Sequence, residues 1–445
     1  MKYTGQKMKR ALFIVSFLLL LSSPSFGIDA SREELGNGLV VLHAEKHNLP
    51  IVMVTLLIKA SPLDEPLDRA GLANLTAALL SEGTKRRTSE QISRELEFIA
   101  CSVSASAGED YTLLTMSVLK KEVEKGFDIF SDVLLNPSFP EDEIARQKQL
   151  IKGALKQREE DPAYVADKEF KQAVYGTNPY GRPVSGNTEG IDRITRNDVA
   201  GFYKKHYLPN NSILSVAGDL TKEELSSLMN RYLASWQKGE TPSREKQRLK
   251  EPGSIQVITR DRELAQANIV LGHLGIERAN PDYYAISVMN YILGGGGFSS
   301  RLVEIVRDEM GLAYDISSFF APALEQGTFE VSVQTKNESA NTVIAEIVRQ
   351  MERITTAPVS PDELKDAISY LTGSFPRRID TLSKLSNFLA LTEFHKLGLD
   401  YDRTYMEFIR EVTVQDVLRV AQKYLHPDKY ILVVVADQKK AGIKK

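Results

Sequence analysis

The residues of this chain whose types could do chemistry are few: six histidines, a single cysteine and a run of four glycines. His43 and His47 lie four apart with Glu45 between them. Two histidines at that spacing clamp zinc when both project from one face of a helix. Here they fall at the end of an apolar strand-like run and in a turn before Pro50, so the expectation is a pair of surface histidines. His206, His273, His395 and His426 are isolated, with no acidic partner at motif spacing. Cys101 precedes the alternating run SVSASAG and reads as a small strand residue, not a nucleophile; a lone cysteine also excludes an internal disulfide or a cysteine metal cluster. Gly294 to Gly297 are not followed by G-K-[ST], which argues against a phosphate loop. They read either as a flexible lead-in to the following helix or as a lip that touches a bound ligand.

The elements that must position these residues show an internal repeat. ITRNDVAGFYKKHYLPNNSILSVAGDL (194–220) resembles VTVQDVLRVAQKYLHPDKYILVVVADQ (412–438), and Thr195, Asp198, Pro209 and Asp219 each recur 218 positions later as Thr413, Asp416, Pro427 and Asp437. Both copies read as a Thr-capped helix, a Pro turn and an apolar strand ending at Asp. A weaker echo links NPSFPEDEI (136–144) with APVSPDEL (357–364), where Ser360, Pro361 and Glu363 form a capping box with Pro at the first helical turn. Leu119, Val123, Phe127, Phe130 and Leu134 predict one buried helical face. Strands are predicted in 38–45, 51–60, 111–119, 254–260, 268–274 and 327–335. The fold class expected is α+β: two homologous lobes, each an antiparallel sheet packed with long helices, at 28–236 and 254–438. The charged, proline-containing stretch 237–253 reads as the linker between them, and the closing 439–445 as a basic, solvated tail.

The 445 residues suit about two to four domains. Hydrophobic residues at 42% and charged ones at 26% give a globular balance, and a net charge of −3 argues against nucleic acid as a partner. Residues 1–27 read as a secretory signal peptide: Lys2, Lys7, Lys9 and Arg10 precede the apolar run 11–21 and the small-residue stretch 22–27. That run falls short of the ~20 residues a spanning helix needs, so no stable membrane span is expected after cleavage. The expected location is periplasmic or secreted.

GLANLTAALLSEGT (71–84) resembles the helix of the insulinase/pitrilysin family of inverted zincins, which includes mitochondrial processing peptidase and the core proteins of the respiratory cytochrome complex. LGNGLVVLHAEKHNLP (35–50), YLPNNSILSVAGDL (207–220) and GGGGFSSRLVEIVRDEMGLAY (294–314) are similar to further segments of that family, in the same order. Active members carry H-x-x-E-H in this frame, two zinc ligands and a general base. The resemblance puts Asn74 at the first His, Ala77 at the Glu and Ala78 at the second His. With EEDP (159–162) placed on the family's acidic-Pro segment, Ala154 stands at the third ligand. No metal and no cofactor is therefore expected, nor peptide cleavage by this chain alone.

The resemblance also implies that Arg307 and Tyr314 match a pair that active members place opposite the zinc, where Arg donates to substrate carbonyls and Tyr to a developing oxyanion. Without that resemblance the two read as a solvated helix residue and a core aromatic. The implied function is a non-catalytic subunit of a zinc metallopeptidase heterodimer, with a homologous zinc-binding chain as partner, peptides as ligands and Arg307 and Tyr314 as substrate-binding residues. The alternative is a structural scaffold or peptide-binding protein with no peptidase partner.

Overall fold

A computed structural model describes residues 27–244, 249–251 and 253–444. Residues 1–26, on which the signal-peptide expectation falls, part of the linker and Lys445 lie outside the described residues. Two sheets form, one per lobe. The first contains β1 (Ser31–Glu34), β2 (Val40–Glu45), β3 (Ile51–Ile58), β4 (Ser102–Ala107), β5 (Thr112–Leu119) and β6 (Ser212–Gly218), ordered β1-β2-β6-β3-β5-β4. The second contains β7 (Gln256–Asp261), β8 (Gln266–Leu274), β9 (Ala313–Ala321), β10 (Thr328–Lys336) and β11 (Ile431–Ala436), ordered β7-β11-β8-β10-β9. Setting β1 aside, the two orders superpose strand for strand, so the lobes are two copies of one topology.

Besides a short helix at Thr188–Arg193, the helices of the first lobe are α1 (Leu72–Ala78), α2 (Ser89–Phe98), α3 (Val123–Leu135), α4 (Glu141–Arg158), α5 (Pro162–Tyr175), α6 (Arg196–His206) and α7 (Lys222–Tyr232). Those of the second are α8 (Tyr283–Asn290), α9 (Ala340–Thr356), α10 (Pro361–Ser374), α11 (Leu382–Phe394), α12 (Tyr401–Arg410) and α13 (Val414–Tyr424). The repeat is seen atom for atom at its helix starts. Thr195 caps α6 in a box with Asp198, and Thr413 caps α13 in a box with Asp416. Ser360 and Glu363 box the start of α10, with Pro361 at its first position.

The antiparallel α+β expectation holds, with one parallel pair in each sheet, and two smaller expectations need correction. The sheets are antiparallel except where β6 runs parallel to β2 and β11 parallel to β7. Each lobe's last strand inserts into the middle of its sheet, and that closure makes one parallel pair. Leu119 does not belong to the α3 face: it ends β5, and a 3-10 turn at Lys120–Glu122 intervenes before α3 begins at Val123. The closing segment is not simply solvated, since Ala441 is buried and Asn341 Nδ2 donates to the Ala441 and Gly442 carbonyls.

The central strands of both sheets are covered on both faces, so β6 and β11 are buried at every position, β11 with apolar residues alone and β6 with Ser212 and Ser215 among them. On one face lie the lobe's own helices: Val54, Leu56 and Ile58 of β3 join Leu75, Phe127, Phe130 and Val199 in the first core, while Ile269 and Leu271 of β8 join Met289, Ile347 and Val417 in the second. On the other face the lobes exchange a helix. Phe170 and Val174 of α5 pack on Val270, Val433 and Val435 of the second sheet. Leu385, Leu389 and Phe394 of α11 pack on Leu42, Leu57 and Ile213 of the first. No helix of the described residues is long and apolar enough to cross a membrane.

Candidate functional site

Helix α1 carries the degenerate frame, and the chain holds it with care. Its N-cap is Gly71 at φ +97°, a left-handed conformation, and a Cβ there would lie 2.6 Å from Ile191 Cδ1. The Glu65 carboxylate accepts from Gly71 N (3.1 Å) and Ala73 N (2.7 Å) and pairs with Arg182 Nη2 (3.0 Å). An anion at a helix N-terminus satisfies its orphan amides and meets the positive end of its dipole. Glu65 is buried, and that desolvation pushes its carboxyl up to about 7, against the lowering pull of the Ala73 amide and Arg182. Just past α1, Glu82 accepts from Ser89 Oγ, Arg146 Nη2 and Gln147 Nε2 at 2.5–2.8 Å, bracing the segment against α4.

Asn74 and Ala78, one turn apart, form the half-exposed strip of α1, while Leu75, Thr76 and Ala77 are buried. Ala154 is exposed on α4. The helical framework that the resemblance implies for a zinc site is thus intact, but its donors are an amide and two methyl groups, with a third methyl in the position of the base. These residues do not fit a zinc ion and hold no group that moves a proton. Among the described residues, no group of three or more His, Cys, Asp or Glu side chains is arranged to hold a metal.

The second lobe presents a different cluster. Arg307 sits in a π-helical stretch, Val303–Glu309, and Tyr314 is the second residue of β9, not a helix residue; a left-handed Gly311 (φ +65°) turns the chain between them. Tyr314 is 87% exposed, which overturns the core-aromatic reading. The Arg307 guanidinium lies 5.3 Å from the Tyr314 ring centroid and 4.4 Å from that of Phe298, itself 73% exposed. The two large exposed aromatics thus flank a half-buried cation at distances at which cation–π attraction acts. Phe298 was missed in the sequence; the available signal was a bulky apolar residue straight after four glycines, with no periodic partner.

The glycines have a third reason for being glycine. A Cβ at Gly294 would lie 2.6 Å from Ser318 Oγ, at Gly295 2.6 Å from Asn290 Nδ2, and at Gly296 2.7 Å from the Tyr291 carbonyl. The chain is packed too closely against β9 and α8 for any side chain, which is not the freedom a flexible lead-in implies. Only Gly297 (φ +57°) has open space, and it turns Phe298 outward.

The histidines divide. His47 is exposed between Asp219 (2.6 Å) and Glu45 (2.7 Å), whose hydrogen bonds raise its pKa. His43 is not a surface residue: it is buried on β2, where its Nε2 meets the Leu220 carbonyl at 2.8 Å, and desolvation lowers its pKa. His273 is buried on β8, bonded to the Leu274 carbonyl and the His426 amide, and burial drives it down to about 3. Cys101 lies one residue ahead of β4, and burial raises its thiol to about 11, far from a reactive thiolate.

A two-lobed fold of one repeated topology, with a helical frame that lacks metal donors in one lobe and a half-buried Arg307 beside an exposed Tyr314 in the other, marks a peptidase-like protein. Family models described as insulinase (peptidase family M16) and as peptidase M16 inactive domain match residues 40–188 and 193–371. The chain belongs to the insulinase family, M16. A Rickettsia bellii protein called an uncharacterized zinc protease is 26% identical over 398 residues, covering 88% of this chain and 93% of its own. A Helicobacter pylori protein called non-peptidase homolog YmxG is 25% identical over 432 residues, covering 95% and 98%. Among solved structures, a peptidase M16 inactive domain from Pseudomonas fluorescens superposes with a TM-score of 0.86 at 27% identity, covering 92% of this chain and 98% of that one. A Helicobacter pylori protease shares the fold at TM-score 0.84 and 19% identity.

Proposed function

We propose that this chain is the non-catalytic subunit of a periplasmic or secreted zinc metallopeptidase, paired with a homologous chain that keeps H-x-x-E-H. It forms part of a peptide-binding chamber, and Arg307 and Tyr314 bind the peptide. One observation carries this reading: positions 74, 77, 78 and 154 hold no metal donor or base while their helices stay capped and braced, and a half-buried Arg307 stands beside the exposed Tyr314. Among the described residues the Tyr314 hydroxyl has no hydrogen-bond partner, so it is available to donate to a ligand. Among the described residues the one carboxylate in reach of Arg307 is Asp308 at 4.0 Å, and contact with the Phe298 and Tyr314 rings leaves its N–H fork available to peptide carbonyls. The likeness to proteins called inactive domain and non-peptidase homolog supports the loss of chemistry in this chain.

The test is reconstitution. The exported protein, purified alone, is expected to hold no stoichiometric zinc and to cleave nothing. Co-expressed with a homologous chain bearing H-x-x-E-H, it is expected to copurify and to be required for activity. In that pair Arg307→Ala should lower kcat/KM about tenfold or more, the loss of one charge-assisted hydrogen bond in the transition state. Unchanged activity of the variant pair removes Arg307 from the site; one zinc per isolated chain ends the non-catalytic reading.

A further inference from the structure

A cavity of about 310 Å³ lies on the other side of the second lobe's exchanged helix. While α11 presses Leu385 and Leu389 onto the first sheet, its opposite face turns Asn387, Phe388 and Leu391 into this cavity. Arg278, Arg378 and Lys384 line it, and no Asp or Glu does. Lys384 is paired with Asp380 at 2.8 Å. The two arginines are different: among the described residues neither has an ion pair with a carboxylate. Arg278 stacks 3.8 Å over the Tyr283 ring and donates to the Tyr401 hydroxyl at 2.5 Å. Arg378 stacks 4.7 Å over Tyr405 and donates to its hydroxyl at 3.2 Å. Each guanidinium is fixed by an aromatic face and one N–H, with further donors left to spend. Asn387 Oδ1 is buried with no hydrogen-bond partner, an orphan group at the same wall. His395 also lines the cavity, and burial, with the Arg278 charge adding to it, holds its pKa down at about 4.

Two unneutralised, pre-oriented forks over aromatic and aliphatic walls match a planar anion on an apolar body. A carboxylate suits this better than a phosphate, because both forks have already committed a donor and the rest of the wall is largely carbon. We propose that this cavity binds a carboxylate borne on an aromatic or branched aliphatic group, with the C-terminal residue of a peptide as its source. The amide of Asn387, turned to offer Nδ2, would donate the third hydrogen bond. The site belongs to the chain alone and does not depend on a partner subunit, so its test stands apart from the reconstitution above.

The test is calorimetric titration of the isolated chain with acetyl-Leu-Phe as free acid, the same dipeptide as C-terminal amide, 3-phenylpropionate, and inorganic phosphate as competitor. The free acid is expected to bind about tenfold or more tightly than the amide, since a charge-assisted pair is lost in the latter. Phenylpropionate should bind more weakly than the dipeptide acid, and equimolar phosphate should not displace it. Arg378→Gln and Asn387→Asp should each weaken the acid about tenfold or more, with unchanged thermal unfolding showing that the fold survives. Equal affinity for acid and amide, no binding of the acid at millimolar concentration, displacement by phosphate, or wild-type affinity in Asn387→Asp each overturns the proposal. Phenylpropionate binding as tightly as the dipeptide overturns the peptide end as the source.

Discussion

Asn74 and Ala78 are half-exposed and Ala154 is exposed, so replacements at these three positions disturb little of the core. The residues that shape the site are a different set, and they are constrained. Gly186 (φ +79°) passes so near α1 that a Cβ would lie 2.2 Å from the Ala70 carbonyl oxygen. Glu65 is the most exacting of them, a buried carboxyl aimed at the helix start. Burial lifts its folded pKa to about 7 from an ordinary value of 4.5, so the folded chain holds a proton there that the unfolded chain releases sooner. The stability this contributes is therefore fully present below pH 4.5 and is lost as pH rises through about 7. Urea unfolding of wild type and Glu65→Gln at pH 5 and pH 8 isolates the effect. Wild type should lose up to about 3 kcal/mol relative to the variant across that interval. A pH-independent difference would mean that the two amides and Arg182 keep the carboxylate charged throughout.

At the scale of elements, the exchanged helices carry the architecture. Phe170 of α5 sits over Gly272 of β8, where a Cβ would come within 2.8 Å of its ring, and the missing side chain makes room for it. Around this contact Arg260 pairs with Glu169 at 2.7 Å and Tyr175 donates to the Gln326 carbonyl at 3.1 Å. On the opposite side Ser386 of α11 bonds Thr55 and the Ser215 carbonyl. Phe170→Ala should cost about 3–5 kcal/mol and Leu389→Ala about 2–5, each measured by urea unfolding. Losses below 1 kcal/mol in both would show that the exchanged helices are decoration. The sequence could show the repeat, because its capping boxes, Pro turns and strands are local patterns on consecutive residues. The frame 71–84 was legible for the same reason, its glycines and small apolar residues lying on consecutive positions where α1 forms. The sequence could not show the exchange. Val165, Phe170 and Val174 read as an ordinary amphipathic face, and nothing local says that the sheet they cover begins some hundred residues later. Phe298 and the cavity beside α11 escaped for the same reason, each being assembled from residues that share no period.

For the whole molecule, the exchange means that neither lobe owns a complete core. Residues 28–236 without the second lobe would leave Leu42, Ala44, Leu57, Ile213 and Ala217 uncovered on the outer face of the first sheet, because α11 is their cover. Residues 254–438 alone would likewise uncover Val270, Leu274, Ile431, Val433 and Val435, the face that α5 occupies. A sheet with both faces apolar and only one covered exposes a contiguous hydrophobic patch, which drives association or unfolding. Polar ties add to the mutual dependence: Arg32 of β1 forms a bidentate pair with Glu393 of α11 at 2.9 and 3.0 Å, and Asp110 accepts from the Leu324 amide at 2.9 Å. Each lobe expressed alone is therefore expected to aggregate or to lack a cooperative unfolding transition. Co-expressed as two separate chains, the lobes should recover a soluble one-to-one complex with a single transition. Two soluble, cooperatively folding lobes, obtained separately, would show that 237–253 links independent domains; failure of each alone with rescue together would show that the two lobes are one folding unit despite being two copies of one topology.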